Sequence, residues 1–368
     1  MNWNLEIEPK IHRAATLPSE AYSDEALYRR GLEKVFARSW QFLGDEDLVK
    51  TPSSVCPVTL LEGSLDEPLV LSRDGGDEVR LLSNVCTHRG MLVAEHAGHV
   101  RHLRCRYHGR RFGLDGTCRH MPEFDDVEGF PAQSDHLRCL DFERWGRLLF
   151  GSLGAAAPFD EVFGDVRRRL GWLPLHEFTF DPARSRDYVV RCHWALYVDN
   201  FLEGFHIPFV HSGLDQVLDY GEYVSELFPW SNLQLGIDAA GGEGEIFDLP
   251  ADSPDAGRRV AAYYWWIFPN TMLNFYPWGL SVNVVRPLGV DRTRVSFLSY
   301  VWRPELVEHG AGAFLDRVER EDEEVVEAVQ RGVRSRLYDR GRYSPRREPG
   351  VHHFHRLLAR ELTSELAP

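Results

Sequence analysis

Two short loops constrain this chain more than any other feature. One reads Cys86-Thr-His88-Arg-Gly and the other Cys105-Arg-Tyr-His108-Gly, with sixteen residues between His88 and Cys105. Each loop offers one thiolate and one imidazole, a donor set that suits an iron–sulfur cluster or zinc. For four such donors to act together, the fold must clamp the two loops against each other. Gly90 and Gly109, which close the loops, would let the backbone approach a bound group closely.

Three readings of the four residues stand at this point. A Rieske centre takes two cysteines on one iron of a [2Fe–2S] cluster and two histidines on the other. A zinc knuckle uses the same residue types but commonly pairs Cys with Cys and His with His along the chain. The third is an unrelated set of buried cysteines and surface histidines. One Cys and one His per loop favours the Rieske reading. Cys56, Cys118, Cys139 and Cys192 lack such partners and are expected as small buried hydrophobes. His96, His99 and His102 are expected at the surface.

With 368 residues, 43% of them hydrophobic, the chain can build one large domain or two ordinary ones. Collagen-like, disordered and coiled-coil compositions are excluded. No run approaches the ~20 apolar residues of a membrane span, and the opening MNWNLEIEPK has no secretory pattern. A cytoplasmic protein without a membrane is the expectation. Charged residues number 42 basic against 56 acidic, a balance of −14 that argues against a nucleic-acid surface. Six cysteines are too sparse for a secreted disulfide scaffold.

Short β segments at Val55–Leu61, Leu69–Ser72, Val79–Asn84, His102–Cys105 and Leu148–Phe150 read as a small all-β domain, preceded by a helix with Ser23 as its N-cap. Gly151–Pro158 is the expected boundary. Beyond it, strands are expected at Asp187–Cys192, Tyr223–Phe228, Val260–Phe268, Leu280–Arg286 and Thr293–Trp302. A helical segment is expected near Trp194–Phe205 and a long helix from about Ala313 to Val333. Antiparallel strands followed by a long helix make an α+β domain.

The second constellation is Glu203-Gly-Phe-His206-Ile-Pro-Phe-Val-His211. Glu203 and His206 are three apart and would share a helix face. His206 and His211 would point ~140° apart on a regular helix, but Pro208 ends such a helix and lets both imidazoles meet. Two histidines and a carboxylate form the facial triad of non-haem Fe(II) oxygenases. In the long helix, the apolar residues Phe314, Leu315, Val318, Val325, Val326, Val329 and Val333 define a stripe. Asp322 lies roughly 20° from its centre and Glu321 roughly 80°. A carboxylate in a buried stripe needs a partner or a metal, so Asp322 is the third ligand, with Glu321 the fallback and an arginine salt bridge the structural alternative.

Both motifs, in this order, resemble the catalytic alpha subunits of Rieske non-haem iron oxygenases, from Trp40-Gln-Phe-Leu-Gly to Gln330-Arg-Gly-Val-Arg. The resemblance implies an N-terminal helical segment (1–38) packing on the catalytic domain, an all-β Rieske domain (39–153) and a helix-grip catalytic domain (159–368). It implies a [2Fe–2S] cluster on Cys86, His88, Cys105 and His108, and a mononuclear Fe(II) on His206, His211 and Asp322. Homotrimers, O2, and electrons passed from NAD(P)H by a reductase or ferredoxin come with it. Glu203 would be the catalytic bridging acid, linking His108 of one subunit to His206 of the next, and Asn200 would orient that region.

Family members commonly place Trp after Tyr-His-Gly, where this chain has Arg110-Arg111. With Arg101, Arg104 and Arg106 these form a basic run expected to dock an acidic electron donor. The aromatic stretch Tyr263–Trp278 resembles the branch that oxidises choline, glycine betaine and carnitine, and aromatic faces attract quaternary ammonium groups. Asn270, Asn274 and Trp266 are candidates for orienting substrate. Hydroxylation of such a small molecule, with N-demethylation where an N-methyl carbon is attacked, is the expected reaction. An aromatic ring-hydroxylating dioxygenase or O-demethylase would use the same rings for stacking. A non-catalytic electron carrier or zinc protein is the rival of another class.

Overall fold

A computed structural model describes residues 3–211, 221, 224–238, 245–307, 309 and 315–364. Its packing divides the chain into two compact units, residues 37–156 and residues 1–36 with 157–368.

The smaller unit is built of short antiparallel strands. β1 (Gln41–Asp45), β2 (Ser54–Leu60), β3 (Glu67–Arg73), β4 (Val79–Ser83), β5 (Gly98–His99), β6 (Leu103–Arg104), β7 (Arg111–Phe112), β8 (Cys118–His120), β9 (Asp141–Trp145) and β10 (Leu148–Ser152) form three sheets. Their orders are β1-β10-β9, β4-β3-β2-β5 and β6-β7-β8. The expected strand at His102–Cys105 shrinks to two residues because Cys105 already turns into its loop, its N–H bonding to the Arg110 carbonyl at 2.9 Å. Val55, Val70, Leu82, Leu103, Phe112 and Leu137 form a core that includes Cys86, Cys105 and Cys118. Cys192 is also buried, but Cys56 is only half-buried and Cys139 is exposed, against the sequence expectation. Cys139 sits at the surface, at an isolated bridge to Leu82.

The larger unit holds a seven-stranded antiparallel sheet. β11 (Thr179–Val190), β12 (Val224–Phe228), β13 (Ser231–Ile237), β14 (Val260–Ile267), β15 (Thr271–Tyr276), β16 (Gly279–Gly289) and β17 (Arg292–Val301) lie in the order β11-β17-β16-β15-β14-β13-β12. Its helices are α1 (Glu25–Gly31), α2 (Phe159–Leu170), α3 (Trp194–Phe201), α4 (Ile207–Val210), α5 (Leu315–Val333) and α6 (Pro349–Thr363). None of the described helices is long and apolar enough to cross a membrane.

Several local expectations change. The N-cap of α1 is Asp24, whose carboxylate accepts from the Leu27 N–H at 2.7 Å, and not Ser23, whose hydroxyl turns back to the Ser19 carbonyl. Strands β13 and β15 and helices α2 and α6 were not foreseen. Tyr223, Ala313 and Phe314, at the expected ends of β12 and α5, lie outside the described residues. The segment after His193 stops being helical at Phe201, four residues short of the expected Phe205. That early stop shapes the site.

Candidate metal centres and cavity

In the smaller unit the two Cys–His loops repeat one hydrogen-bond pattern. The Cys86 N–H donates to the Met91 carbonyl at 2.8 Å and the Gly90 N–H to the Cys86 carbonyl at 3.0 Å. In the second loop the Cys105 N–H donates to Arg110 at 2.9 Å and the Gly109 N–H to Cys105 at 3.0 Å. Gly90 and Gly109 sit at φ +73° and +76°, a left-handed conformation that only glycine adopts freely. Each turn therefore buries its cysteine, both 2% exposed, and leaves its histidine facing outward.

The donors pair across the loops, histidine with histidine and cysteine with cysteine. The His88 and His108 rings pack edge to face with centroids 4.8 Å apart, and the Cys105 thiol is near enough to Cys86 to raise its pKa. Burial, and then the charges at His108 and Arg110, lower the His88 pKa and keep that imidazole neutral, as metal ligation requires. Burial and the second thiol raise the Cys86 pKa, a cost that metal binding to the thiolates would remove. Two adjacent thiols beside two adjacent imidazoles fit a Rieske cluster.

Arg110 departs from expectation. It is 2% exposed, donates to the Thr87 hydroxyl at 2.6 Å and to Asp135 at 3.1 Å, and lies over the Phe124 and Phe130 rings. It braces the first loop from behind and is no part of a basic surface. Arg101, Arg104 and Arg111 are exposed, while Arg106 pairs with Glu95 at 2.8 Å.

In the larger unit the second constellation forms around the end of α3. Glu203 does not share a helix face with His206. Instead its Oε2 accepts the backbone N–H groups of Phe205 and His206, and its Oε1 meets His206 Nδ1 at 2.7 Å. Glu203 thus ties down the turn that leads into α4. Pro208 lies in the first turn of that short helix, where its missing N–H is not needed, and does not end a longer one. His206 flanks α4 at its start and His211 at its end.

Helix α5 supplies the carboxylates. Asp322 Oδ1 lies 3.0 Å from His211 Nε2 and 3.4 Å from His206 Nε2. One donor atom from each of His206, His211 and Asp322 falls within 4.8 Å of the others. Glu321, the fallback ligand, sits behind His211 and meets its Nδ1 at 2.8 Å, with Arg317 bonded in turn at 2.9 Å. Both imidazoles therefore turn Nε2 toward Asp322 while a glutamate holds each Nδ1, the arrangement that orients histidine ligands in metal sites. Burial opposes charge on His211, yet Asp322 and Glu321 raise its pKa. A cluster that draws a proton onto a buried imidazole is complementary to a bound cation, and the donor set suits Fe(II).

A cavity of about 110 Å³ opens on this triad. Sheet register explains its wall, because residues paired directly across neighbouring strands share a face. Gln234, Tyr264, Asn274 and Ser281 form one row across β13 to β16. Asn232, Trp266, Met272, Asn283 and Phe297 form the next, two residues along. Gln234, Tyr264, Asn274, Tyr276, Asn283 and Phe297 reach the cavity, as does Asn200 from α3. Of the expected substrate residues, Asn274 is in the wall. Trp266 shares its face but packs on Phe354 of α6 and donates to the Pro269 carbonyl at 3.2 Å. Asn270 lies before β15, fully buried, donating to the Val285 carbonyl at 2.9 Å. Neither reaches the cavity.

Comparison with known proteins gives the same two-part reading. Residues 39–131 match the Rieske [2Fe-2S] domain family, and residues 176–364 match the family described as ring hydroxylating alpha subunit (catalytic domain). The chain is 32% identical to choline monooxygenase, chloroplastic, of Arabidopsis thaliana over 97% of its own length and 86% of that protein's. It is 26% identical to the carnitine monooxygenase oxygenase subunit of Escherichia coli K12, covering 94% of this chain and 93% of that one. Among solved structures, the quaternary ammonium Rieske monooxygenase CntA shares the fold with a TM-score of 0.76 at 22% identity, covering 98% of this chain and 97% of that one.

Proposed function

The chain belongs to the Rieske ring-hydroxylating oxygenase alpha-subunit family, and from that premise we propose that it hydroxylates a small organic ammonium compound. It is an oxidoreductase of the family that carries a Rieske [2Fe–2S] cluster and a mononuclear non-haem iron. When bound, these groups supply single-electron transfer and activate O2 for insertion into a C–H bond.

Cys86, Cys105, His88 and His108 would hold the cluster, and His206, His211 and Asp322 the iron. Glu203 and Glu321 orient the two iron-binding imidazoles through Nδ1. The cavity supports an ammonium substrate because its described lining pairs aromatic rings with amides and carboxylates and includes no Lys or Arg. An aromatic acid would require a cation to meet its carboxylate, whereas Tyr264, Tyr276 and Phe297 offer faces to a positive group. Relatives are named for choline, carnitine and putrescine, each of which carries an ammonium group, and this supports the same class.

A reducing, cytoplasmic compartment fits a chain with only six cysteines in 368 residues, two of them assigned to the cluster. Exposed Arg101, Arg104 and Arg111 would receive an acidic reductase or ferredoxin. The subunits would form a trimer in which His108 of one chain passes electrons through Glu203 to His206 of the next. Purified protein supplied with an electron donor and O2 should oxidise choline-like compounds in preference to benzoate-like acids. Turnover of the aromatic acids alone would reject this substrate class.

A further inference from the structure

We propose that Arg110 raises the reduction potential of the cluster by holding a buried positive charge beside it, a reading that rests on the Cys86, His88, Cys105 and His108 ligand set and not on the substrate class. Arg110 touches both ligand loops. Its carbonyl accepts the Cys105 N–H of the second loop at 2.9 Å. Its guanidinium reaches the first loop, donating at 2.6 Å to the hydroxyl of Thr87, which lies between Cys86 and His88. One residue therefore links the two halves of the donor set and places a full charge next to them.

The surroundings keep that charge effective. The guanidinium is 2% exposed and lies over the Phe124 and Phe130 rings, 5.5 and 5.2 Å from their centroids. Phe124 packs edge to face on His88 in turn, with centroids 5.7 Å apart. Water cannot screen a cation enclosed in this way, so its field reaches the loop it braces. Its partner Asp135 has a side chain 22% exposed and spends its other oxygen on the Ala132 N–H at 2.8 Å. A partly hydrated carboxylate offsets a dry guanidinium only in part. The ligands register the excess: after burial and His108, Arg110 lowers the His88 pKa, and at Cys86 it opposes the upward push of burial.

A brace alone does not call for a charge. Burying a guanidinium is costly even when it is paired, and an apolar side chain can fill the space between two phenylalanine rings. Reduction, by contrast, adds a negative charge to the cluster, which a dry cation nearby stabilises. Arg111, the next residue, is exposed, so water and salt screen it. Arg110 thus eases the uptake of an electron from the donor, while Arg111 can only meet that donor at the surface.

The test is an anaerobic redox titration of the full chain, read from the visible circular dichroism of the cluster. Arg110→Met fills the same space without charge. At a fixed solution potential it should shift the balance about tenfold toward the oxidised form, a fall of about 59 mV for one electron. Arg110→Lys should keep most of the wild-type potential, and Arg111→Met should move the balance by less than about twofold. Asp135→Asn removes the counter-charge and leaves the guanidinium, so it should shift the balance the opposite way, toward the reduced form. Loosened packing gives no reason for two substitutions in one ion pair to act in opposite directions. If Arg110→Met stays within about twofold of the wild type, or if both substitutions move the balance the same way, the assignment is wrong. Should Arg110→Met fail to retain a cluster, Asp135→Asn decides alone, and a potential that does not rise rejects the idea. A wild-type protein without a Rieske spectrum overturns the ligand set itself, and this inference with it.

Discussion

Glu321 and Asp322 are adjacent in sequence yet meet different sides of His211, and mutation should separate their roles. Asp322→Ala should remove the mononuclear iron while the cluster's visible spectrum persists. Glu321→Ala should retain the iron but bind it about 10- to 100-fold more weakly, read by competition with a chelator. Glu203→Ala should weaken iron about as much, and should still abolish turnover when excess Fe(II) refills the site, which separates a bridging role from the orientation of His206. Arg110 offers a contrast in the smaller unit. Arg110→Ala strands Asp135 and opens the space between Phe124 and Phe130, so denaturation should show a loss of about 3 kcal/mol. Arg111→Ala, at an exposed site, should change stability by less than about 0.5 kcal/mol. Sequence pattern finds Asp322 because an acid inside an apolar stripe is anomalous. Glu319 also lines the cavity and was not named, because it lies roughly 80° from the centre of that stripe, as far as Glu321 on the other side. Asn274 could be named from sequence but not separated from Asn270 and Trp266, since only strand register decides which reaches the cavity.

At the scale of elements, the site depends on where α3 stops. His193 caps its start, with Nδ1 accepting the Ala195 N–H at 3.2 Å, which requires a neutral ring. Burial pushes the His193 pKa down to about 3, against 6.5 for an exposed imidazole. Below pH 6.5 the unfolded chain takes up a proton that the folded chain refuses. His193 therefore contributes full stability above pH 6.5 and loses it as pH falls toward 3, at up to about 1.4 kcal/mol per pH unit. Denaturation midpoints should fall between pH 7 and 5, and His193→Asn, which can cap without titrating, should flatten the slope. A slope unchanged in that variant would assign the pH dependence to other groups. The other end of α3 is tied by a buried network. Asp199 accepts from Tyr22 at 3.0 Å and meets His355 of α6 at 2.8 Å, while Tyr343 meets the opposite nitrogen of His355 at 2.7 Å. Residues far apart in sequence thus fix the turn that carries Glu203. Local patterns show α3 and α5 from their own periodicity, but not this network, because a tyrosine or histidine of a polar cluster looks the same in sequence as one at the surface.

For the whole molecule, the order of domains and their classes were legible, because the metal motifs lie in different units and the texture of the chain changes between them. The sheet order was not. Two of its strands, β13 and β15, went unrecognised in sequence, and both pair with β14, whose aromatic run hid the turns on either side. Each chain carries both metal motifs, one per compact unit. If electrons cross between chains, a chain need not own a complete pair to take part in turnover. A Cys105→Ala chain keeps the iron site without the cluster, and an Asp322→Ala chain keeps the cluster without the iron. Each should be inactive alone. In a closed head-to-tail ring, a junction is productive when a chain with a cluster precedes one with iron. Equal co-expression should therefore restore about a quarter of wild-type turnover, because each member of a junction is competent half the time. Electron transfer confined to one chain predicts no recovery, since no chain in the mixture holds both groups. The same preparations separate donor docking from transfer between chains. Reduction of the cluster in the Asp322→Ala protein should slow steeply with salt if Arg101, Arg104 and Arg111 receive an acidic donor. Transfer onward to a neighbouring iron, once the cluster is reduced, should be indifferent to salt, because it needs no further encounter in solution.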